Sequence, residues 1–184
     1  MNLAPLLEAF PAAVVDDGFG PVTVDVPPSS WAATLLFVRD ELACGFFDFL
    51  SAVDEGAGLR VVCHVAALEP WGHVLLRTML PAERPAVASV ADVYAGAGWH
   101  ERETAEMFGI EFLDDTGAPL DLPGLLLPPG YDGHPLRKEA LLAARNDRPW
   151  PGAKEPGESD ADVRPSRRRL RPPGVPDPAQ ERGR

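Results

Sequence analysis

The spacing of apolar residues along this chain predicts a sheet accompanied by helices. Three apolar runs, residues 46–53, 59–67 and 73–80, have the length and composition of strands. Gly56-Ala57-Gly58 and Pro70-Trp71-Gly72 separate these runs, and such short turns join strands that run in opposite directions. We therefore expect the three runs to pair with one another in an antiparallel sheet.

One helix and two shorter strands are predicted ahead of this sheet. The helix spans residues 3–10 and ends at Pro11, since a proline interrupts helical hydrogen bonding. Residues 12–15 and 22–26 then read as strands on either side of a turn-forming stretch, residues 16–20. This arrangement predicts a β-hairpin at the start of the chain.

A second helix is expected after Pro27-Pro28, with Ser29 or Ser30 as its N-cap. Its apolar residues recur at i, i+4, i+7 and i+11, the spacing of a helix face that lies on a sheet: Trp31, Leu35, Val38 and Leu42. A third helical pattern covers residues 87–94, breaks at Gly96-Ala97-Gly98 and resumes over residues 99–108. Sheet followed by helix indicates the α+β class, with a mostly antiparallel sheet covered by helices.

The chain beyond Ile110 reads as an irregular C-terminal extension. Prolines exclude long regular elements there: Pro119, Pro123, Pro128, Pro129 and Pro135. Residues 148–184 are rich in proline and charge and almost free of aromatic residues, so they cannot bury enough apolar surface to offset the entropy of ordering. We predict one domain over residues 1–147 and a disordered tail over residues 148–184.

Charge narrows the classes of function that this chain can have. Residues 1–144 hold 21 acidic against 7 basic residues, and residues 145–184 hold 7 against 10, which gives the net charge of −11. An acidic body repels a phosphate backbone, so we expect no nucleic acid partner. Long apolar runs and a basic leader are both missing from the sequence, and we therefore expect a protein of the cytoplasm.

Motifs for redox or metal chemistry are incomplete in this sequence. Iron–sulfur clusters generally require four cysteine ligands, whereas this chain has two without close spacing, Cys44 and Cys63, whose apolar surroundings suit reduced core thiols. Gly96 to Glu101 imitates a dinucleotide loop, but Glu101 stands where the third glycine belongs. His100-Glu101 begins like a zinc-protease helix, yet Thr104 replaces the second histidine.

Three scattered histidines are expected to be structural: His64, His73 and His134. We accordingly expect this chain to hold no catalytic, cofactor-binding or metal-binding residue.

The helix over residues 99–108 mixes apolar and charged residues on one stripe: Trp99, Glu103, Glu106 and Ile110. Such a stripe is either a catalytic carboxylate pair or a packing surface on which charges find partners. Arg102 lies four residues before Glu106, and Arg137 and Lys138 are further candidate ion partners.

Two blocks in this region resemble the signature of the C subunit of respiratory complex I. The blocks are residues 99–112 (WHERETAEMFGIEF) and residues 125–128 with 133–139 (LLLP and GHPLRKE). Residues 46–54 and 89–94 also look like that family. The resemblance implies a set of interface or structural residues: Trp99, Glu101, Arg102, Glu103, Glu106, Phe108, Gly109, His134, Pro135, Leu136, Arg137 and Lys138.

The resemblance also implies a function. Members of this family are non-redox scaffolds of the peripheral arm, which lies on the cytoplasmic side of the bacterial cell membrane. The expected partners are the D, B and I subunits of the complex, and the FMN and iron–sulfur clusters that carry electrons from NADH to quinone are expected in partner subunits. The family usually has Gly-His-Pro and an arginine pair between the two blocks, whereas this chain has residues 113–119 and 121–124 with acidic or neutral side chains.

Two other functions stay open at this point. Similar subunits serve membrane-bound nickel–iron hydrogenases and dehydrogenases that use other electron donors. A freestanding hydrolase would use Glu101, Glu103 or Glu106 as acid and base, and it would need a pocket and a nucleophile or metal. The Pro/Arg-rich tail is expected either to pair with acidic surface or anionic lipid, or to remain solvated without a partner.

Overall fold

The computed structural model describes residues 1–18 and 20–140. Its centre is a five-stranded sheet in the order β1-β2-β5-β4-β3. The strands are β1 (Val14–Asp16), β2 (Thr23–Asp25), β3 (Phe46–Asp54), β4 (Gly58–Ala67) and β5 (Gly72–Pro81). All five strands predicted from the sequence are therefore present.

Pairing within the sheet is mostly antiparallel. β3, β4 and β5 form the expected antiparallel meander, and β1 pairs antiparallel with β2 as a hairpin. β2 runs parallel to β5, with Val24 opposite Leu76. A helix and two strands separate β2 from β5 in sequence, so no hairpin dictates their relative direction.

Three α-helices accompany the sheet: α1 (Ala4–Ala9), α2 (Trp31–Glu41) and α3 (Ala97–Phe108). The prediction that a serine side chain caps the first N–H groups of α2 was wrong. Ser30 occupies the N-cap position, but its side chain caps no helical N–H and its hydroxyl instead donates to the carbonyl of Pro27 at 3.1 Å. A single 3-10 turn over Pro28–Ser30 leads into the helix and explains why the hydroxyl points backwards.

The predicted helix over residues 87–94 was wrong. Strand β6 (Ala86–Ala88) occupies its start and pairs in parallel with β7 (Glu111–Leu113), a strand that was expected to be loop. Val87 and Phe112 face each other in this pair and are both buried. Burial against a partner more than twenty residues away therefore overrides the local helical pattern.

The core lies on one face of the five-stranded sheet. Along β4 the inward residues alternate with Arg60, Val62 and His64 of the other face, which are half-buried. The inward residues of β4 are at most 3% exposed: Leu59, Val61, Cys63 and Val65. The apolar face of α2, through Trp31, Leu35 and Val38, belongs to the same core. Among the described residues, the helices thus cover one face of the sheet and leave the other open.

Two expectations about the end of the chain lie outside the described residues. These are the domain boundary at residue 147 and the disordered tail over residues 148–184. Among residues 1–18 and 20–140, no helix has the length and apolar character needed to cross a membrane.

Candidate functional site

Helix α3 carries most of the residues that the sequence singled out, but its faces differ from the prediction. The stripe that faces the core is Ala97, Glu101, Thr104 and Phe108. Trp99 and Glu103 are exposed, whereas Ile110 lies beyond the helix end and is buried. The expected stripe from Trp99 to Ile110 therefore does not form one surface.

Glu101 is a buried carboxylate that holds a neighbouring turn. It is 1% exposed, and its two oxygens accept hydrogen bonds from the backbone N–H of Val90 and from the hydroxyl of Ser89, both at 2.7 Å. Burial raises the pKa of Glu101, and these two hydrogen bonds oppose that rise only in part. The carboxylate thus joins α3 to the segment after β6.

Glu106 holds a second segment from the outer side of the helix. Its oxygens accept backbone N–H groups of Leu125 and Leu126 at 2.7 Å each and of Leu127 at 3.4 Å. Partial desolvation tends to raise the pKa of Glu106, but these three hydrogen bonds outweigh it and lower the pKa. Glu106 therefore acts as an anchor for the loop at residues 125–127, the first part of the second signature block.

Arg102 binds the same loop a few residues earlier. Its guanidinium donates to the carbonyls of Pro123 at 2.9 Å and Gly124 at 2.8 Å, and it lies over the ring of Trp99 at 5.1 Å from the centroid. In the part of the chain that the structure describes, no ion pair within 4 Å joins Arg102 to Glu106. The predicted pairing was wrong because both side chains bind backbone instead.

The second signature block closes the C-terminal end of α3. An α-helix leaves its last four carbonyls without helical partners. The carbonyl of Ala105 accepts the N–H of Gly109, and the next three accept donors from the second block. Nδ1 of His134 donates to the carbonyl of Glu106 at 2.9 Å, and the N–H of Leu136 donates to that of Met107 at 3.1 Å. Nε of Arg137 donates to the carbonyl of Phe108 at 2.6 Å. All four carbonyls are thus satisfied.

Gly109 is required at the turn that follows α3. Its φ of 69° lies in the left-handed region. A Cβ on this residue would also stand closer to Nε2 of His134 than any real contact allows. The glycine therefore lets the histidine ring lie close enough to cap the helix.

The rest of the second block ties the same region to the sheet. Pro135 stands between the capping residues His134 and Leu136, and the backbone N–H of Lys138 donates to Asp54 at the end of β3 at 2.8 Å. This hydrogen bond lowers the pKa of Asp54, as does a second one from the N–H of Gly56. Arg137 also lies 3.6 Å from Glu139.

Four side chains near α3 remain exposed around these anchors, and we call them the α3 surface: Trp99, Glu103, Leu126 and Leu136. Its three apolar members are 63%, 57% and 56% exposed, respectively. Leu126 belongs to the loop held by Glu106, and Leu136 belongs to the block that caps the helix. The anchors thus fix the backbone from which these large apolar groups project.

The remaining cysteines and histidines divide between core and surface. Cys44 and Cys63 are free, buried thiols, as expected, and burial raises the pKa of both. His100 contacts the backbone of Leu50 and His134 caps α3, so both are structural.

One contact was not predicted from the sequence: His64 and His73 lie close together on the open face of the sheet. The register of β4 and β5 places His64 opposite Leu75, so that His73 is its diagonal neighbour. Strand alternation could have indicated this proximity once the pairing of the two runs was fixed.

Comparison with known proteins gives a consistent result. Residues 24–146 match the family described as "Respiratory-chain NADH dehydrogenase, 30 Kd subunit". The chain is 35% identical over 149 residues to the C subunit of the NADH-quinone oxidoreductase of Roseiflexus castenholzii, and the match covers 77% of this chain and 83% of that protein. It is 37% identical over 144 residues to the C/D subunit of the same enzyme from Gluconacetobacter diazotrophicus, and this match covers 71% of the chain. The chain spans only 23% of the length of that C/D relative.

Two solved structures share the fold. A trypsin-resistant fragment of Nqo5 superposes with a TM-score of 0.55 at 21% identity, over 68% of this chain and all of the fragment. A chain of the membrane-bound sulfane sulfur reductase, an archaeal respiratory membrane complex, superposes with a TM-score of 0.54 at 22% identity, over 69% and 76% of the two chains. At this level of identity the two likenesses establish the fold alone.

Proposed function

The chain belongs to the family of the 30 Kd subunit of respiratory-chain NADH dehydrogenase, and from this premise we propose that it is a non-redox scaffold subunit of complex I. Its place is the peripheral arm of a proton-translocating NADH:quinone oxidoreductase, on the cytoplasmic side of the cell membrane. The D subunit is the principal neighbour, and the B and I subunits lie nearby. The partner subunits of the complex hold the FMN and the iron–sulfur clusters that connect NADH to quinone.

The observation that carries this proposal is how the signature residues are used. Glu101, Glu106, Arg102, His134 and Arg137 all bind backbone groups of this same chain. Their contacts hold three segments around α3 in one arrangement. A domain whose polar residues fix its own backbone is suited to holding other proteins at fixed separations, which electron transfer between cofactors requires.

The α3 surface is the part of this arrangement that we assign to contact with the D subunit. An exposed tryptophan on a rigid backbone is a typical anchor of a protein interface, and the two exposed leucines add apolar area that can be buried with little loss of backbone freedom. Glu103 lies on the same helix as Trp99 and is exposed, and within the part of the chain that the structure describes it forms no ion pair, so we assign it a basic partner on the neighbour. Its use in the interface is part of the proposal.

The cysteine chemistry supports the non-redox part of the proposal. The chain has two cysteines, and iron–sulfur clusters are generally held by four thiolate ligands. Burial raises the pKa of both thiols, which disfavours the thiolate form that binds metal. The purified chain is therefore expected to be colourless and inactive towards NADH, and a flavin or iron–sulfur absorption spectrum from it would contradict the proposal.

Co-purification tests the docking surface. Membranes from the native host that express an affinity-tagged chain should yield the D, B and I subunits with the unmodified chain, and less of all three with Trp99→Ala. Trp71→Ala is the matched control, since Trp71 is a similarly exposed tryptophan that precedes β5, away from α3. Equal recovery from both variants would show that the α3 surface does not bind the partner subunits.

A second host complex is distinguished by the same experiment. The structural likeness to a chain of the archaeal sulfane sulfur reductase complex shows that this fold also occurs in a respiratory complex of another kind. Co-purified subunits that bind flavin and NADH indicate complex I, whereas a partner with nickel-binding cysteines or another donor-binding module indicates the alternative. The identity of 34–37% to NADH-quinone oxidoreductase subunits favours complex I.

The hydrolase alternative fits the geometry poorly. Glu101 faces the core and Glu106 faces outward. The carboxylate oxygens of both accept hydrogen bonds from backbone N–H groups or a serine hydroxyl. Glu103 is exposed. The carboxylates therefore do not face one another across a shared site, as acid and base on one substrate would require.

A further inference from the structure

The open face of the sheet carries a chain of hydrogen bonds between three side chains. Asp48 Oδ2 lies 2.9 Å from Nδ1 of His64, and Nε2 of His64 lies 2.9 Å from Nδ1 of His73. Asp48, His64 and His73 come from β3, β4 and β5, so the chain crosses three neighbouring strands. None of the contacts described for α3 involves these residues.

The carboxylate fixes which nitrogen of His64 is available. An ionised carboxylate only accepts hydrogen bonds, so Nδ1 of His64 donates to Asp48 and carries the proton. In the neutral ring, Nε2 then holds the free lone pair, and it points towards His73. A carboxylate behind one ring nitrogen and a free lone pair on the other is the arrangement that orients histidine ligands in metal sites.

We propose that Nε2 of His64 and Nδ1 of His73 bind one divalent cation of the zinc, nickel or copper class, with Asp48 as the positioning residue. Imidazole nitrogens suit these cations, whereas magnesium and calcium prefer oxygen ligands. Metal–nitrogen distances of about 2.0–2.1 Å in a tetrahedral site place two ligand nitrogens about 3.3 Å apart. The two nitrogens therefore need to separate by a few tenths of an ångström from their present 2.9 Å, and each ring must turn so that both lone pairs point at the cation.

The proton that the two rings share has a place to go when the cation binds. His73 donates from Nδ1 in the metal-free pair, and it becomes a ligand by carrying its proton on Nε2 instead, so the net charge of the ring does not change. Within residues 1–18 and 20–140, no three histidine, cysteine, aspartate or glutamate side chains converge on one point. Water fills the remaining coordination positions, and the site is of the open kind.

Two aromatic rings hold the histidines in place. Phe49 stacks on His64 and Trp71 stacks on His73, each with ring centroids 5.8 Å apart. The two imidazole rings are nearly perpendicular to each other, at 88°. Because each imidazole has an aromatic ring on one face and the other imidazole at its edge, it loses less conformational freedom on binding a cation than a mobile surface histidine would, which favours affinity.

The first experiment uses the full chain without a polyhistidine tag and titrates it with Zn²⁺ in a calorimeter. We expect one Zn²⁺ per chain, an affinity at least tenfold lower for His64→Gln and His73→Gln, and a loss of about tenfold for Asp48→Asn, the range seen when the carboxylate behind a histidine ligand is removed. His100→Gln is the matched control and keeps full affinity. Equal affinity in all variants would overturn the proposal.

The second experiment does not depend on any variant folding. Nitrogen-15 spectra of the histidine rings of the unmodified chain should show that Zn²⁺ shifts Nε2 of His64 and Nδ1 of His73, and leaves His100 and His134 unchanged. Shifts at His100 or His134 alone, or no shifts, would refute the site. Cu²⁺ should also quench the fluorescence of Trp71, and Trp71→Phe should remove that part of the quenching while keeping the affinity.

Discussion

Glu101 and Glu106 lie on one helix and bind backbone N–H groups in similar ways, but they do so in different surroundings. Glu101 is 1% exposed and holds the turn at Ser89 and Val90. Glu106 is half-buried and holds the loop at Leu125 and Leu126. A glutamate of α3 therefore holds a neighbouring segment by accepting its N–H groups both in the core and at the surface of this domain.

The difference in burial gives the two carboxylates opposite responses to pH. Burial raises the pKa of Glu101, so its proton stabilises the fold below about pH 4.5, the ordinary glutamate value, and this contribution is lost as the pH rises through the raised pKa. Hydrogen bonds lower the pKa of Glu106, so its charge stabilises the fold above about pH 4.5, and this contribution is lost as the pH falls through the lowered pKa. The surroundings of each glutamate, and not its residue type, therefore decide whether its pKa is raised or lowered.

The largest effect is expected from Glu101→Ala. The change leaves the hydroxyl of Ser89 and the N–H of Val90 without their partner in the core and creates a cavity, which together cost about 3 kcal/mol of unfolding free energy. Urea denaturation of the purified chain measures this. Glu103→Ala is the control, because Glu103 is exposed on the same helix, and it should change the value by less than about 0.5 kcal/mol. Similar losses of unfolding free energy in both variants would show that the buried Glu101 contributes no more to stability than the exposed Glu103.

Gly109→Ala is expected to weaken the outer side of α3 by about 2 kcal/mol. Alanine is strained at a φ of 69°, and its Cβ would displace the ring of His134 from the helix end. Hydrogen exchange should show faster exchange of the N–H of Leu136, which donates to Met107, and little change at Val90. Gly117→Ala is the control, since Gly117 also has a positive φ but nothing lies near its Cβ position. Equal effects would mean that backbone strain alone matters.

Glu106→Gln should cost about 1 kcal/mol at pH 7, less than the roughly 1.5–3 kcal/mol typical of hydrogen bonds to charged groups, because solvent screens this side chain. The charge matters only while the native carboxylate is ionised, so the difference from the unmodified chain should shrink as the pH falls from 7 to 3. Denaturation at several pH values measures it. A difference that stays constant with pH would show that the shape of the side chain, and not its charge, holds Leu125 and Leu126.

The smallest effect is expected from Glu101→Gln, because glutamine keeps the shape of the buried side chain and can still bind Ser89 and Val90. Glutamine cannot ionise, so the stability of this variant relative to the unmodified chain should rise as the pH rises from 5 to 8. This trend is opposite in sign to that of Glu106→Gln over its own range. If the relative stabilities of the two variants changed with pH in the same direction, the pKa values of Glu101 and Glu106 would not be shifted in opposite directions.

Much of the fold could be predicted from the sequence because its longer elements carry their own patterns. The three long strands lie where the apolar runs predicted them, and the apolar spacing of Trp31, Leu35 and Val38 matches the buried face of α2. Strands β6 and β7 could not be predicted in the same way. Each has three residues, and each exists because it pairs with the other across the length of α3.

The candidate site was harder to predict for a related reason. The sequence shows the charges of Arg102 and Glu106 at i, i+4 spacing, which is a standard ion-pair signal. It does not show that carbonyls and N–H groups of residues 123–127 lie within reach, because every residue type has those groups. The charges of Arg102 and Glu106 can be read from the sequence, but their partners are backbone atoms and leave no trace in it.

The closure of α3 by the second signature block has a consequence for how the chain is made. A ribosome delivers residues in order, so the last turn of α3 leaves the exit tunnel before His134, Leu136 and Arg137 do. Until then three carbonyls of that turn have only water as a partner, and the helix end frays. The nascent domain therefore gains its final hydrogen bonds only when translation has passed Arg137, and a stalled or prematurely ended product shorter than this is a natural substrate for cellular proteases.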